Sequence, residues 1–451
     1  MELKGKKVMV VGTGISGIGA INLLNKVGAD CILYDGNDKL SVDEVEHKLG
    51  FNKAEIVIGE CSDDLIKRID LLVISPGVPI DSPLVLRFKE AGVEVWGEIE
   101  LAYNFDQGKI VAITGTNGKT TTTALVGEII KTYNNKTFVV GNIGRSYTGE
   151  VLNTTKESVT VAEISSFQLE TTHNFHPVVS AILNITPDHL NRHHTMECYA
   201  KTKQRVALKQ TKDDVCVLNY EDEYLKEFGK ECSAKVIWFS SKRKVEVGAY
   251  VENDIIKYTD GVNDKEFLNV HDMKLLGVHN YENVCAAIAM TKAMGIPDEV
   301  IIRVVKEFRA VEHRIEYVAT KNGVDYYNDS KGTNPDAAIK AIEAMIKPTI
   351  LIGGGYDKGS EFDEYIKAFN GKVRLLVLLG QTSNKIADTA KKLGFTDYVF
   401  AQSMEEVIDI CAKNAKPGEA VLLSPACASW GMFDNYEQRG RIFKDLVNKL
   451  A

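Results

Sequence analysis

Short apolar runs ending in glycine or polar clusters recur along the chain, and between them apolar residues return at helical spacing. The pattern predicts repeated strand, loop and helix units, an α/β fold. Near the start, Val8 to Val11 reads as a strand, followed by a helix with Ile18, Ile21, Leu24 and Val27 on its buried side. Strands then follow at Cys31 to Tyr34, Ala54 to Ile58 and Leu71 to Ile74. A second series opens with Lys109 to Ala112 and a helix burying Leu125, Val126, Ile129, Ile130 and Tyr133, then strands at Thr137 to Val140, Ser158 to Ala162 and Val178 to Leu183. Val247 to Asp260 alternates around Asn253-Asp254, which predicts a hairpin at a sheet edge. The last third repeats the scheme with Thr349 to Ile352, Leu375 to Leu379, Val421 to Leu423 and a final helix with Phe443 and Leu446 inward.

At 451 residues the chain is long enough for about three domains at roughly 150 residues each. The expected bounds are 1–96, 97–310 and 311–451, with Rossmann-like first and last domains and a central P-loop α/β domain. A balance of 54 basic against 62 acidic residues, net −8, argues against nucleic acid as the main partner. The eight cysteines form no CxxC pair, which fits a reduced compartment and neither a zinc module nor a disulfide scaffold. The N-terminus runs straight into a strand with no signal-peptide core, and no apolar run approaches the roughly 18 residues of a membrane span. A soluble cytoplasmic protein is expected.

Chemistry concentrates where strands end. Ile113 to Thr121 reads ITGTNGKTT between strand and helix, a turn that aims backbone N–H groups and a helix N-terminus at one point and so suits phosphate. Lys119 adds a cation and the Thr120 hydroxyl can ligate magnesium, although Ile113 stands where the strict Walker pattern has glycine. Gly12 to Gly17 reads GxGxxG with Asp35 about 20 residues on, a dinucleotide fingerprint whose first reading is a nicotinamide oxidoreductase. That reading leaves Lys119, Glu163 and Lys331 without a task. Glu163 is the best candidate for a magnesium carboxylate, and His189, after Asp188 at a strand end, is a candidate second ligand. His193 and His194 read as surface residues, and helix capping is the simpler role for Asn280. Tyr199, Lys203 and Ala207 share a helix face, yet from composition Lys201 and Lys203 serve equally well as solvated lysines. In the last region Arg314, Asp329, Lys331 and Lys358 cluster at strand ends.

GTNGKTT, GNIG (141–144), EISSFQLE, NITPDHL, HNYEN, HRIE, NDSKGTNP, SPACAS and EQRG, in this order over almost the whole chain, resemble the Mur ligase family. The resemblance implies an ATP-dependent amide ligase of bacterial cell-wall synthesis, joining D-glutamate to UDP-N-acetylmuramoyl-L-alanine through an acyl phosphate. It further implies that the three domains serve the UDP-sugar, ATP and the amino acid, and that the third domain closes to complete the site. A related ligase, adding another amino acid or glutamate to folate, shares the phosphate turn but is less well matched by SPACAS, EQRG and the first-domain glycines. By position, Gly115, Thr116, Asn117, Gly118, Lys119, Thr120 and Thr121 would hold the phosphates, and Asn283, Arg314 and Asp329 would contact ATP. Thr120, Glu163, His189 and Lys203, the last as a carbamate, would hold two magnesium ions, and Lys331 would sit beside the new bond. Ile15, Ser16, Asp35, Ser75, Gly77 and Asn142 would bind the UDP substrate, and Thr333, Lys358, Ser429 and Tyr436 D-glutamate. Gly36-Asn37 departs from the family's uracil-site residues, and Tyr436 replaces a common phenylalanine. A monomer with small-molecule substrates is expected.

Overall fold

The computed structural model describes residues 2–143, 145–275, 278–309, 311–357 and 359–450. The chain divides into two compact units, Met1–Val270 with Glu282–Val305, and His271–Tyr281 with Lys306–Ala451.

The first unit holds two sheets. One is built from β1 (Lys7–Val11), β2 (Asp30–Asp35), β3 (Glu55–Ile58), β4 (Leu71–Ile74) and β5 (Glu94–Gly97), all parallel in the order β3-β2-β1-β4-β5. Strands such as Leu71–Ile74 are buried throughout, as expected when helices cover both faces. The order reverses between β1 and β4, so the loops after these two strands flank a crevice at the sheet's carboxyl edge.

The second sheet has nine strands: β6 (Lys109–Thr114), β7 (Thr137–Gly141), β8 (Val159–Glu163), β9 (Val179–Ile182), β10 (Val215–Asn219), β11 (Lys235–Ser240), β12 (Gly248–Glu252), β13 (Ile255–Thr259) and β14 (Asp264–Asn269). Their order is β14-β13-β12-β11-β10-β9-β6-β8-β7. β6 lies between β8 and β9, parallel to both, so three strand ends converge where the phosphate turn begins. The hairpin expected around Asn253-Asp254 is present, and both turn residues have positive φ (51° and 61°), the primed turn that matches strand twist. It is not at the edge, because β14 pairs with β13 and takes that place. Tyr133 also departs from expectation: it is the last residue of helix Lys119–Tyr133 and is 59% exposed.

The second unit carries a six-stranded sheet, β15 (Glu316–Lys321), β16 (Val324–Asn328), β17 (Thr349–Gly353), β18 (Val373–Leu379), β19 (Tyr398–Ala401) and β20 (Ala420–Leu423), ordered β15-β16-β20-β17-β18-β19. Only β15 runs antiparallel. Helix Tyr436–Lys449 buries Phe443 and Val447 in the core on one face.

Candidate active site

The turn after β6 places Gly118 as N-cap of helix Lys119–Tyr133 with φ +84°, and a Cβ there would fall 2.2 Å from Asn283 Oδ1. Glycine is needed both for the conformation and to let Asn283 approach. Thr116 N–H donates to the Asn184 carbonyl (2.9 Å), and Asn117 N–H to Asn184 Oδ1 (2.8 Å), so the loop after β9 braces the turn. Lys119 Nζ folds back and donates to the carbonyls of Gly115 and Thr116, each at 2.9 Å. Thr120 and Thr121 are buried in the first helical turn.

Glu163 ends β8, in register with Ile113 of β6 and Gly141 of β7. It is 1% exposed, and Asn142 Nδ2 donates to its Oε1 at 2.9 Å. Its Oε2 is buried without a hydrogen-bond partner, a costly state for a carboxylate unless a cation completes it. Lys203 is also buried, at 2% exposure. Its Nζ donates to the Gly115 carbonyl (2.8 Å) and lies 4.6 Å from the Tyr199 ring centre. Burial, reinforced by the nearby Lys119 charge, holds its ammonium well below the usual lysine range, while Asp188 opposes this. Tyr199 in turn meets Thr116 Oγ1 at 3.1 Å.

His189 sits at the left-handed N-cap of helix Leu190–His193, half exposed, with its ring 4.8 Å from that of Phe167 and Nε2 3.5 Å from Asp188 Oδ2. His193 is buried, contrary to its surface reading. It bonds Ser166 Oγ at 3.0 Å and packs on Tyr199, and burial with the Lys203 charge pushes it down to about 4. His194 is exposed as expected. Asn280 lies inside helix Val278–Ala293, so it is not the cap.

The turn after β1 is tied to itself. A Cβ on Gly17 would lie 1.9 Å from the Gly12 carbonyl oxygen, and one on Gly12 2.7 Å from Ser75 Oγ, which is buried without a partner. Asp35 Oδ2 accepts from Thr13 N (3.2 Å) and Oγ1 (2.9 Å), and Oδ1 from Asn37 N (3.1 Å). Ile15 is 88% exposed at the start of its helix and Gly77 is exposed. Burial raises the Glu98 carboxyl above the ordinary carboxylate range, with Ser16 acting the other way.

In the second unit, Asp329 is buried after β16 and accepts from Ser424 Oγ (2.7 Å) and Ile315 N (3.3 Å). Burial pushes it up to about 7, with Ser424 and Arg314 acting the other way. Arg314 Nε is buried without a hydrogen-bond partner. Lys331 Nζ lies 5.6 Å from the Tyr436 ring, Thr333 N–H donates to the Lys331 carbonyl, and Ser429 is buried. Lys358 lies outside the described residues. Arg439, to which the sequence reading gave no role, is buried and donates to Ser330 Oγ (2.9 Å), Ser330 O (2.8 Å) and Cys427 O (3.2 Å).

Residues 6–97 match the family description "Mur ligase MurD-like, N-terminal domain", 113–291 "Mur ligase middle domain", and 313–427 "Mur ligase, glutamate ligase domain". A protein of Lachnospira eligens named UDP-N-acetylmuramoylalanine--D-glutamate ligase is 77% identical over the full length of both chains. The chain belongs to the Mur ligase family. A Clostridioides difficile ligase of the same name is 48% identical, again over the full length of both. Solved Mur ligases share the fold at low identity. Thermotoga maritima MurC superposes with a TM-score of 0.61 at 19% identity, over 98% of this chain and 99% of that one. MurF from the same organism, in complex with ADP, gives 0.58 at 17%, over 99% and 96%.

The Mur ligase turn and its carboxylate fit a phosphate-bound divalent cation: magnesium takes few protein carboxylates plus phosphate oxygens, and Glu163 Oε2 is a buried oxygen lacking a partner. His193, Asn184 and Arg439 escaped the sequence reading. Their roles depend on partners 27, 67 and 109 residues away, beyond any periodicity signal.

Proposed function

We propose that this Mur ligase joins D-glutamate to UDP-N-acetylmuramoyl-L-alanine at the expense of ATP, making a peptidoglycan precursor. The observation that carries the reading is the glycine turn ringed by Lys119, Lys203 and the half-satisfied Glu163 carboxylate, in a chain whose full-length relatives carry that name. A carboxylate does not react with an amine at neutral pH, so the L-alanyl carboxylate is first activated. One of its oxygens attacks the γ-phosphorus, the bond to the β-phosphate oxygen breaks, and an acyl phosphate and ADP result. The neutral D-glutamate amine then adds to the acyl carbon, and the tetrahedral adduct expels inorganic phosphate and loses a proton.

Lys119 exchanges its two carbonyl contacts for phosphate oxygens and, with the backbone of Gly115 to Thr121, offsets the growing charge. Thr120, Glu163, His189 and Lys203 are the residues that would hold two magnesium ions. Magnesium, when bound, supplies positive charge beside the transferring phosphoryl group. Burial and the Lys119 charge disfavour the ammonium form of Lys203, and an amine that has given up its proton adds to carbon dioxide with loss of a second one, leaving an anionic carbamate beside Lys119.

Asn283, Arg314 and Asp329 are assigned to ATP, and Lys331 to the forming bond. Ile15, Ser16, Asp35, Ser75, Gly77 and Asn142 are assigned to the UDP-sugar, and Thr333, Lys358, Ser429 and Tyr436 to D-glutamate. The domain bounds 1–96, 97–310 and 311–451, a monomeric state and a cytoplasmic location belong to the same reading. No helix among the described residues is long and apolar enough to cross a membrane. The test is ADP release by the purified chain: it should require both UDP-N-acetylmuramoyl-L-alanine and D-glutamate, and release with L-glutamate alone as amine donor would overturn the assignment.

A further inference from the structure

A cleft of about 380 Å³ opens between helices Met196–Gln204 and Glu223–Glu231 of the first unit. Its lining is amphipathic. Ala200 is buried, and Tyr224 and Phe228 are half buried against the core, so they give an apolar, aromatic floor. The exposed carboxylates of Glu197, Glu223, Glu227 and Glu231 stand around it with Lys201, and lysines outside the lining pair with two of the four.

On helix Glu223–Glu231 the acids recur at i, i+4 and i+8, a single stripe, beside a parallel stripe of Tyr224 and Phe228. Glu223 and Glu227 pair with Lys226 and Lys230 one turn on, at 2.8 and 2.6 Å, while Glu197 and Glu231 have no ion-pair partner among the described residues. None of these groups takes part in the ligase chemistry assigned above. The other wall is a face of the helix whose buried side carries Tyr199 and Lys203 to the phosphate turn, so an occupant would rest against the same helix.

We propose that this cleft binds a small organic cation, an ammonium carried on an aromatic or branched aliphatic body. The apolar floor takes the body, the aromatic faces of Tyr224 and Phe228 and the carboxylate rim take the charge, and an anion is excluded. A space of about 380 Å³ is near the lower end of small-ligand sites, which fits one such cation.

The experiment titrates the full chain by calorimetry and ligand-observed saturation-transfer NMR with 4-phenylbutylammonium, its neutral analogue 4-phenylbutanol and the anion 4-phenylbutyrate. Saturable one-to-one binding of the ammonium is expected, about fivefold or more tighter than the alcohol, with no saturable binding of the anion. The exposed double variant Glu227→Gln, Glu231→Gln should weaken the ammonium about five- to tenfold and leave the alcohol unchanged. Equal binding of the three probes, no saturation by the ammonium, or an unchanged double variant overturns the proposal. A reversible dimer in sedimentation that the same variant dissociates would put a second copy in the cleft and overturn it as well. The outcome is independent of the ligase reading, because no substrate is present.

Discussion

Two glycine turns in the first unit begin alike and end differently. Each follows a strand flanked by two parallel neighbours and starts a helix, β1 into Ile15–Lys26 and β6 into Lys119–Tyr133. The first closes on itself: Gly17 packs on the Gly12 carbonyl, and Asp35 is engaged by Thr13 and Asn37. Its ionisable neighbours are acids, Asp35 and the buried Glu98. The second gathers two lysines, one of them buried, on the Gly115 carbonyl, and the neighbouring strand ends in a carboxylate with an oxygen left over. Glycine spacing therefore reports backbone curvature, and the charges brought alongside by neighbouring elements decide which anion is held. That is why a dinucleotide fingerprint in the first turn does not make an oxidoreductase.

Substitutions can break this contrast, starting with the largest effect. Lys119→Ala should lower ADP release by about a thousandfold or more with little change in melting temperature, because the lysine acts on charge that develops at the phosphates. Equal loss on replacing a polar residue of the first turn, such as Thr13→Ala, would erase the distinction. Lys203→Ala should cost about a hundredfold, with part of the activity restored by added short-chain carboxylic acids if a carbamate is the working form. Full activity in the variant, or no rescue, removes the carbamate.

Gly17→Ala should destabilise the chain by roughly 2–4 kcal/mol in denaturant unfolding, since its Cβ would meet the Gly12 carbonyl oxygen at 1.9 Å. Gly14→Ala, with open space around its Cβ, should stay within about 0.5 kcal/mol. Similar costs for both would mean the first turn is not self-packed.

The smallest effect concerns pH. His193 beneath the second turn is held down to about 4, so the unfolded chain takes up its proton first, near the ordinary value of 6.5. Its contribution is complete above about pH 6.5 and is lost as pH falls toward 4. Melting temperatures of His193→Gln should therefore fall less steeply than wild type over that interval, and parallel slopes would contradict the buried neutral histidine.

Much of the frame was legible because strand ends announce themselves. Leu71 to Ile74 was bounded correctly from its apolar run, and the turn at Asn253-Asp254 from its residue types. What was hidden depended on distant partners. Helical phase put Tyr199 and Lys203 on one face but could not tell that this face, and not that of Lys201, met Gly115. Nothing local marks His193 as buried, since Ser166 and Tyr199 do that, and nothing local marks the hairpin as internal, since β14 supplies its neighbour from beyond.

The central claim is that the phosphate turn converts the acceptor's carboxylate into an acyl phosphate. It is tested most directly by preparing UDP-N-acetylmuramoyl-L-alanine with both carboxylate oxygens as ¹⁸O and analysing the products of one turnover with ATP and D-glutamate. The account predicts one labelled oxygen in inorganic phosphate and the other in the new amide. Phosphate free of label, or label in AMP, would contradict it.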